Sequence, residues 1–360
     1  MSPNAATPDS NADVTIDEAP VPQSLDDPNA PDFVAAMGVR NAVQAAAYGT
    51  DEMFMSPADL LPYWLDPHEP KRMLLARLAG DTGSQVVGRA VVEHQFDSHE
   101  VAWLSVEVLP AFRGRGIGTA LAQRAEELAA DVDRIVVYSA IPDGPGARLP
   151  APTGFGSVPL DGPDVRFLLA RGYTLEQVER ASRLPLPARD LPDAPAPDGY
   201  RLHQWIDRTP AEWLTDMTAL FTLMSTDEPS AGLDEPEDVW TEERLTAYEE
   251  RRASSDRTHL ITAVENTATG TLVGMTELAV SPELERPAMQ HDTIVDRTNR
   301  GHRLGMVLKV ANLQHLQRER PGHPSVVTFN AEENRHMLDV NEAVGFVPMG
   351  FEGAWKKVLR

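Results

Sequence analysis

The sequence predicts an α+β protein of two tandem domains, and three observations carry that prediction. One order of strand-like and helix-like segments is run through twice. A turn and helix opened by Arg113 in the first run returns at Arg300 in the second, 187 positions further on. Between the runs lies "RLPLPARDLPDAPAPDG", Arg183 to Gly199, whose prolines are too closely spaced for a helix. A 360-residue chain with 42% hydrophobic residues is long enough for two cores, at about 150 residues each. The division expected is a disordered Pro/Ser/Asn/Ala-rich tail at 1–11, a first domain at 12–184, a semi-rigid proline-rich linker at 185–198 and a second domain at 199–360.

Each element follows from its pattern. In the first run "ADVTIDEAPVP" reads as a strand, "DFVAAMGVRNAVQAAAYG" and "SPADLLPYWL" as helices, and "RMLLARLA", "QVVGRAVVEH" and "VAWLSVEV" as strands. A glycine-rich loop and helix follow, then the strand "RIVVYSA" and a helix ending in "FLLARGY". The second run has the strand "YRLHQW", the helices "PAEWLTDMTALFTLM" and "DVWTEERLTAYEERRAS", and the strands "HLITAVEN", "TLVGMTEL" and "QHDTIV". Its loop and helix at Arg300 lead to the strand "SVVTFNAE" and the helix "ENRHMLDVNEAVGF". Met217, Leu220, Phe221 and Met224 recur at helical spacing and are read as core.

Composition excludes several functions. A net charge of −23 is the reverse of what phosphate backbones require, so no nucleic-acid partner is expected. No run of about 18 apolar residues and no basic start before an apolar segment is present, so neither a membrane span nor a signal peptide is expected. The absence of cysteine removes disulfides, thiolate nucleophiles and Cys-ligated zinc, and a cytoplasmic location is the plain reading. His94, His99, His302, His315, His323 and His336 show no ligand spacing with carboxylates, so no metal is assigned. The acidic run "STDEPSAGLDEPEDVWTEE" reads as a solvated loop, with selection of a cationic acceptor as the alternative.

The stretch "VLPAFRGRGIGTALAQRAEELAA", Val108 to Ala130, holds the main motif. A helix N-terminus offers unsatisfied N–H groups and a partial positive charge, and glycines let an anion approach its backbone. The lysine and Ser/Thr of a nucleotide P-loop are missing, and Gly118 follows Gly116 by two residues where a dinucleotide fingerprint needs three. From spacing alone, a pyrophosphate site and a tight structural turn both remain open.

Arg113-Gly114-Arg115-Gly116-Ile117-Gly118 resembles the (Gln/Arg)-x-x-Gly-x-(Gly/Ala) signature of the GNAT superfamily of N-acetyltransferases, and the repeated element order resembles tandem members of it. The resemblance implies two GNAT-fold domains, each a mixed, mostly antiparallel sheet flanked by helices. It implies acetyl-CoA as co-substrate, a small-molecule amine as acceptor attacking the thioester directly, and a monomer or homodimer. It places the pyrophosphate on the loop amides and the pantetheine arm along the preceding strand. In the first half that assigns Val108, Arg113, Gly114, Arg115, Gly116, Ile117, Gly118 and Thr119; in the second, Val295, Arg300, Gly301, His302, Arg303, Leu304, Gly305 and Asn334.

The two halves depart from the family pattern differently. The tyrosine that protonates the thiolate in many members is Leu168 in the first half and Asn341 in the second. Arg303 replaces the middle glycine of the second loop: with helical dihedrals it is tolerable and contacts phosphate, whereas a need for close backbone approach closes the site. A primary amine attacks only when neutral, so a base is needed. Superposing the halves sets Val91 against Glu277 and Leu104-Ser105 against His291-Asp292. Glu277 is therefore the expected base, with Asp292 or His291 as fallback, and a structural ion pair or a surface-facing residue is the other reading of each. The functional alternatives are an acetyl-CoA-dependent N-acetyltransferase and a non-catalytic acyl-CoA-binding or interaction protein built from two degenerate domains.

Overall fold

The structure is a computed structural model describing residues 14–80, 83–96 and 98–360, so the tail expected at 1–11 lies outside the described residues. The first run forms β1 (Val14–Ala19), α1 (Ala30–Tyr48), α2 (Pro57–Trp64), β2 (Lys71–Gly80), β3 (Gly83–His94), β4 (Val101–Val108), α3 (Ile117–Leu128) and β5 (Arg134–Ile141). A short hairpin follows, β6 (Arg148–Pro150) and β7 (Ser157–Pro159), and then α4 (Pro163–Ala170) and β8 (Thr174–Pro185). The second run forms β9 (Tyr200–Ile206), α5 (Leu214–Asp227), α6 (Glu242–Arg252), β10 (Thr258–Asn266), β11 (Thr271–Val280) and β12 (Ala288–Val295). It closes with α7 (Leu304–Glu319), β13 (Ser325–Ala331), α8 (Arg335–Val344) and β14 (Val347–Val358). No helix among the described residues is long and apolar enough to cross a membrane.

The chain forms two compact units, whose limits differ from those of the sequence repeats. Unit 1 takes residues up to Pro57, Trp64–Val137 and Val358–Arg360; unit 2 takes Ala58–Tyr63 and Tyr138–Lys357. In unit 1 strands β1 to β5 lie in sequence order, antiparallel throughout except for the parallel β4–β5 pair. Phe33, Met73, Leu75, Val87, Leu121 and Ile135 pack between this sheet and its helices with no exposed surface.

In unit 2 the order is β14-β8-β13-β12-β11-β10-β9, again antiparallel except for β12–β13. Strand β8 belongs by sequence to the first run, yet it pairs with β13 on one side and β14 on the other. That pairing is why the compact boundary does not fall in the proline-rich segment. The segment has no helix, and Leu186, Ala188, Leu191 and Ala194 pack on the core formed by Leu184, Leu313, Val326 and Phe346, so it is a packed strap. On the opposite sheet face Met217, Leu220 and Phe221 are buried with Trp205, Leu245, Ile261 and Met275, and Met224 packs against them.

Two features recur in each unit and prepare a site. The parallel ladder β4–β5 ends after Trp103↔Val136, and β12–β13 ends after Met289↔Val327, so each pair parts before the loop is reached. One glycine per unit permits close packing beneath the loop helix. A Cβ on Gly274 would stand 2.7 Å from the Ile294 carbonyl oxygen, and one on Gly88 3.1 Å from that of Glu107.

Candidate active site

In unit 1 a 3-10 turn, Pro110–Phe112, leads from β4 into the loop. Gly114 (φ 73°) and Gly116 (φ 80°) take left-handed conformations that favour glycine, and Gly116 caps α3. Ile117 is buried, and Gly118 and Thr119 form the first turn, whose N–H groups have no partner within the helix. Arg113 Nε donates to the carbonyl of Val108 at 3.1 Å and Arg115 Nη2 to that of Ala111 at 3.2 Å. Arg113 thus ties the loop to the strand end.

Unit 2 repeats this construction. Arg300 Nε donates to the Val295 carbonyl at 3.0 Å, and Arg300 and Arg297 share the buried carboxylate of Asp227, each at 2.5 Å. Gly301 has φ 87°, the His302 ring lies 5.3 Å from Tyr200, and Leu304 and Gly305 are buried in the first turn of α7. Arg303 caps α7 with φ 58° and ψ 24°. Its dihedrals are left-handed rather than helical, contrary to the first expectation, and it holds the loop in the same class of conformation as Gly116. Asn334 stands as the N-cap of α8, its side chain accepting from the Met337 amide at 3.3 Å.

The units differ at the next strand. In unit 1 β3 and β4 pair without interruption, and Val91 and Leu104 are buried. In unit 2 Thr276 pairs with Thr293 and Leu278 with Gln290, so His291 and Asp292 together oppose Glu277 in a β-bulge. The three candidates are brought together there. The bulge is pinned by Gln290, whose amide donates to the Glu277 carbonyl at 2.7 Å and to Thr276 Oγ1 at 2.9 Å.

The three groups have different electrostatics. Glu277 is 3% exposed, and its Oε1 accepts from Arg252 Nη1 at 2.6 Å and from His259 Nδ1 at 2.8 Å. Burial alone would raise its pKa, but Arg252 and His259 overcome this and hold the carboxyl well below the ordinary value. Burial, reinforced by the Glu277 charge, raises Asp292 to about 6. Desolvation by the surrounding protein lowers His291 to about 4, although its surface remains exposed. Glu228, exposed in the same manner, is pushed up to about 7 by burial and by Asp292 and Glu235.

Sequence reasoning missed Arg252, His259 and Glu228. Arg252 ends the charged run "EERR" and reads as solvent-facing, yet it is buried with its guanidinium 4.7 Å over the Tyr248 ring. No spacing relates 252, 259 and 277; the β10–β11 register creates that meeting, with Ile261 opposite Glu277 and His259 two residues away on the same face. The acidic run is a largely exposed loop, but several of its carboxylates are engaged. Asp227 is taken by the loop arginines, Asp238 pairs with Arg244, Glu235 accepts from Tyr138 at 2.9 Å, and Glu228 is desolvated near Asp292.

Residues 39–147 match the family described as "Acetyltransferase (GNAT) family". A solved tandem GNAT protein from the clavulanic acid biosynthesis pathway superposes with a TM-score of 0.72 at 25% identity, covering 96% of this chain and 99% of that one. The chain has the fold of a tandem GNAT protein. It is also 27% identical, over 71% of its length and 74% of the relative's, to the mycothiol acetyltransferase of Nocardia farcinica. A GCN5-related N-acetyltransferase from Sphaerobacter thermophilus shares the fold, with a TM-score of 0.61 at 18% identity and 96% coverage of each chain.

Proposed function

We propose that the protein is an acetyl-CoA-dependent N-acetyltransferase acting on a small-molecule amine, with its chemistry in unit 2. The observation that carries this reading is the β12 bulge, which sets His291 and Asp292 beside Glu277 where β12 and β13 part. The left-handed glycines and the exposed helix starts at Gly114–Thr119 and Gly301–Arg303 suit a pyrophosphate, and the parted strands leave main-chain groups for an extended arm. Acetyl-CoA supplies an activated acetyl thioester there; the residues of the chain orient it and manage the amine's proton. Unit 1 has the loop and the parted strands with apolar residues at Val91 and Leu104, which supports binding without chemistry in that unit.

Asp292 is the base this geometry favours. Glu277, expected in that role, is held as a carboxylate by Arg252 and His259, so protonating it means breaking a buried ion pair. Asp292, with a pKa of about 6, is mostly ionised at neutral pH and basic enough to take a proton from an ammonium in a desolvated cleft. The carboxylates of Asp292 and Glu228 favour an acceptor that arrives as a cation.

Native mass spectrometry with acetyl-CoA and a screen of primary amines test the reading together. Asp292→Asn is expected to lower kcat by roughly 10²–10⁴-fold while leaving acetyl-CoA affinity intact. The wild-type rate is expected to rise with pH through about 6 and level off above, because only the ionised carboxylate accepts a proton. Wild-type turnover in the variant would remove Asp292 from the mechanism; acetyl-CoA binding with no amine acetylated would leave the non-catalytic binding protein.

A further inference from the structure

Lys309 of α7 has 2% of its surface exposed, yet its ammonium makes no hydrogen bond or ion pair among the described residues. Burial without compensation lowers its pKa to about 7, and the Phe346 ring stands 5.8 Å from Nζ. Burying an unpaired amine is costly and asks for a partner that arrives from outside the chain. Neighbours on α7 fix its depth. Leu308 stands against Gly274 beside the Ile294 carbonyl, and Asn312 Nδ2 donates at 3.0 Å to the carbonyl of Leu260, which aligns through Leu278 with Gln290. Lys309 falls between those two levels, at the depth of the bulge. It takes the opposite sheet face: Leu260, Leu278 and Val326 share a core with α7 and α8, whereas Glu277 meets Arg252 of α6. At the same depth β13 has left β12, and Asn330 accepts the side-chain amide of Asn341 from α8 at 2.6 Å. Asn341 Oδ1 is buried there without a partner. The opening between β12 and β13 thus has a carboxylate base towards α5 and α6, and an unpaired amine towards α7 and α8.

We propose that Lys309 is the general acid of the transfer, donating to the sulphur that departs on the α7–α8 side of the opening while the amine attacks from the side of Asp292. This role rests on the reading of unit 2 as the catalytic unit. As the tetrahedral adduct collapses the C–S bond breaks, and its electron pair takes a proton from the ammonium, one N–H bond breaking as one S–H forms. The protons shed by the amine leave through Asp292 to solvent. Lys309 regains one from solvent as the thiol departs, so each group ends as it began. A thiol's ordinary pKa of about 8.5 makes the transfer from Lys309 downhill. Neither Asn330 nor Asn341 can supply an acidic proton. The other charges of the packed elements are engaged or lie elsewhere. Glu342 of α8 pairs with Arg180, Asp339 with Arg335 and Glu265 of β10 with His203, and β13 carries no charge. His259, Glu277, His291 and Asp292 belong to the bulge and its far face, and His315, Arg318 and Glu319 lie further along α7.

The test uses the full-length chain with coenzyme A itself, because a chain without cysteine leaves the cofactor's as the only thiol. Ultraviolet absorbance of the thiolate is followed against pH in the complex. An ammonium beside the sulphur favours the thiolate, so bound coenzyme A is expected to show a fraction titrating clearly below the free thiol's value of about 8.5, and Lys309→Met is expected to abolish that fraction. Equal titration curves for wild type and variant overturn the proposal. So does a wild-type complex that titrates as the free thiol, a reading that needs no variant. Removing an unpaired buried amine should leave the melting temperature equal or higher. With the best amine of the screen, kcat of Lys309→Met should fall roughly 10²-fold at unchanged acetyl-CoA affinity, and the plateau above pH 6 should lose the alkaline edge set by Lys309 giving up its proton. Unchanged kcat and edge overturn the role. A screen in which no amine is acetylated removes the catalytic reading beneath it, whereas the thiol titration still decides whether Lys309 meets the sulphur.

Discussion

Arg303 holds a left-handed conformation at the place where the other loop has Gly116, and a side chain with a Cβ is strained there by about 1 kcal/mol or somewhat more. Arg303→Gly is therefore expected to stabilise the chain by about 1 kcal/mol, read as a higher urea midpoint; an unchanged or lower midpoint would show that the side chain offsets the strain through contacts of its own. Glu277→Gln works in the other direction. It leaves Arg252 buried without a counter-charge and should cost about 3–5 kcal/mol in the same measurement. The pH signs differ likewise. Glu277, held below its ordinary 4.5, contributes stability above that value, and the contribution is lost as pH falls through the folded-state value. Asp292, raised to about 6, contributes in the opposite sense, lost as pH climbs through about 6. The position of Glu277 was legible because Val91 occupies it in the other repeat. Its role was not, because Arg252 and His259 reach it only through tertiary packing.

Among the elements, those with clean periodicity and a cap were readable. α1 ends where Gly49 takes φ 69° and its amide bonds the Ala45 carbonyl, at the glycine that closes the pattern. Strands β8 and β14 were not foreseen. β8 carries Glu176, Glu179, Arg180 and Arg183 along a central strand, which is tolerable because Arg180 is paired with Glu332 and Glu342, partners more than 150 positions away. In β14 register shifts near Gly350 and Trp355 break the alternation on which strand reading depends. Two substitutions test element roles. Asn334→Ala removes the α8 cap and should cost about 1 kcal/mol without changing acetyl-CoA affinity; a weakened affinity would return Asn334 to the cofactor. Gly274→Ala presses on the carbonyl of Ile294 in β12 and should lower turnover as well as stability. Gly88→Ala meets the movable end of Leu121 first and should disturb stability alone; equal effects on turnover would detach the bulge from the chemistry.

At the scale of the molecule, the duplication visible in the sequence is not the division into compact units, because β8 is made with one repeat and paired within the other. A fragment of residues 199–360 would present β13 and β14 with their shared neighbour missing. It is expected to aggregate or lack a cooperative thermal transition, and a fragment starting at 138 should do better; cooperative unfolding of the shorter piece would show that β8 is dispensable. The same arrangement sets an order of events during synthesis. β8 leaves the ribosome long before either strand that will flank it exists, and the whole of β9 to β12 is made while both its edges stay open. An open edge is a template for stray pairing, and the charges that looked out of place in a central strand protect it during that interval. The residues that hid β8 from pattern reading are thus suited to keeping a half-made chain from pairing with its neighbours on a polysome.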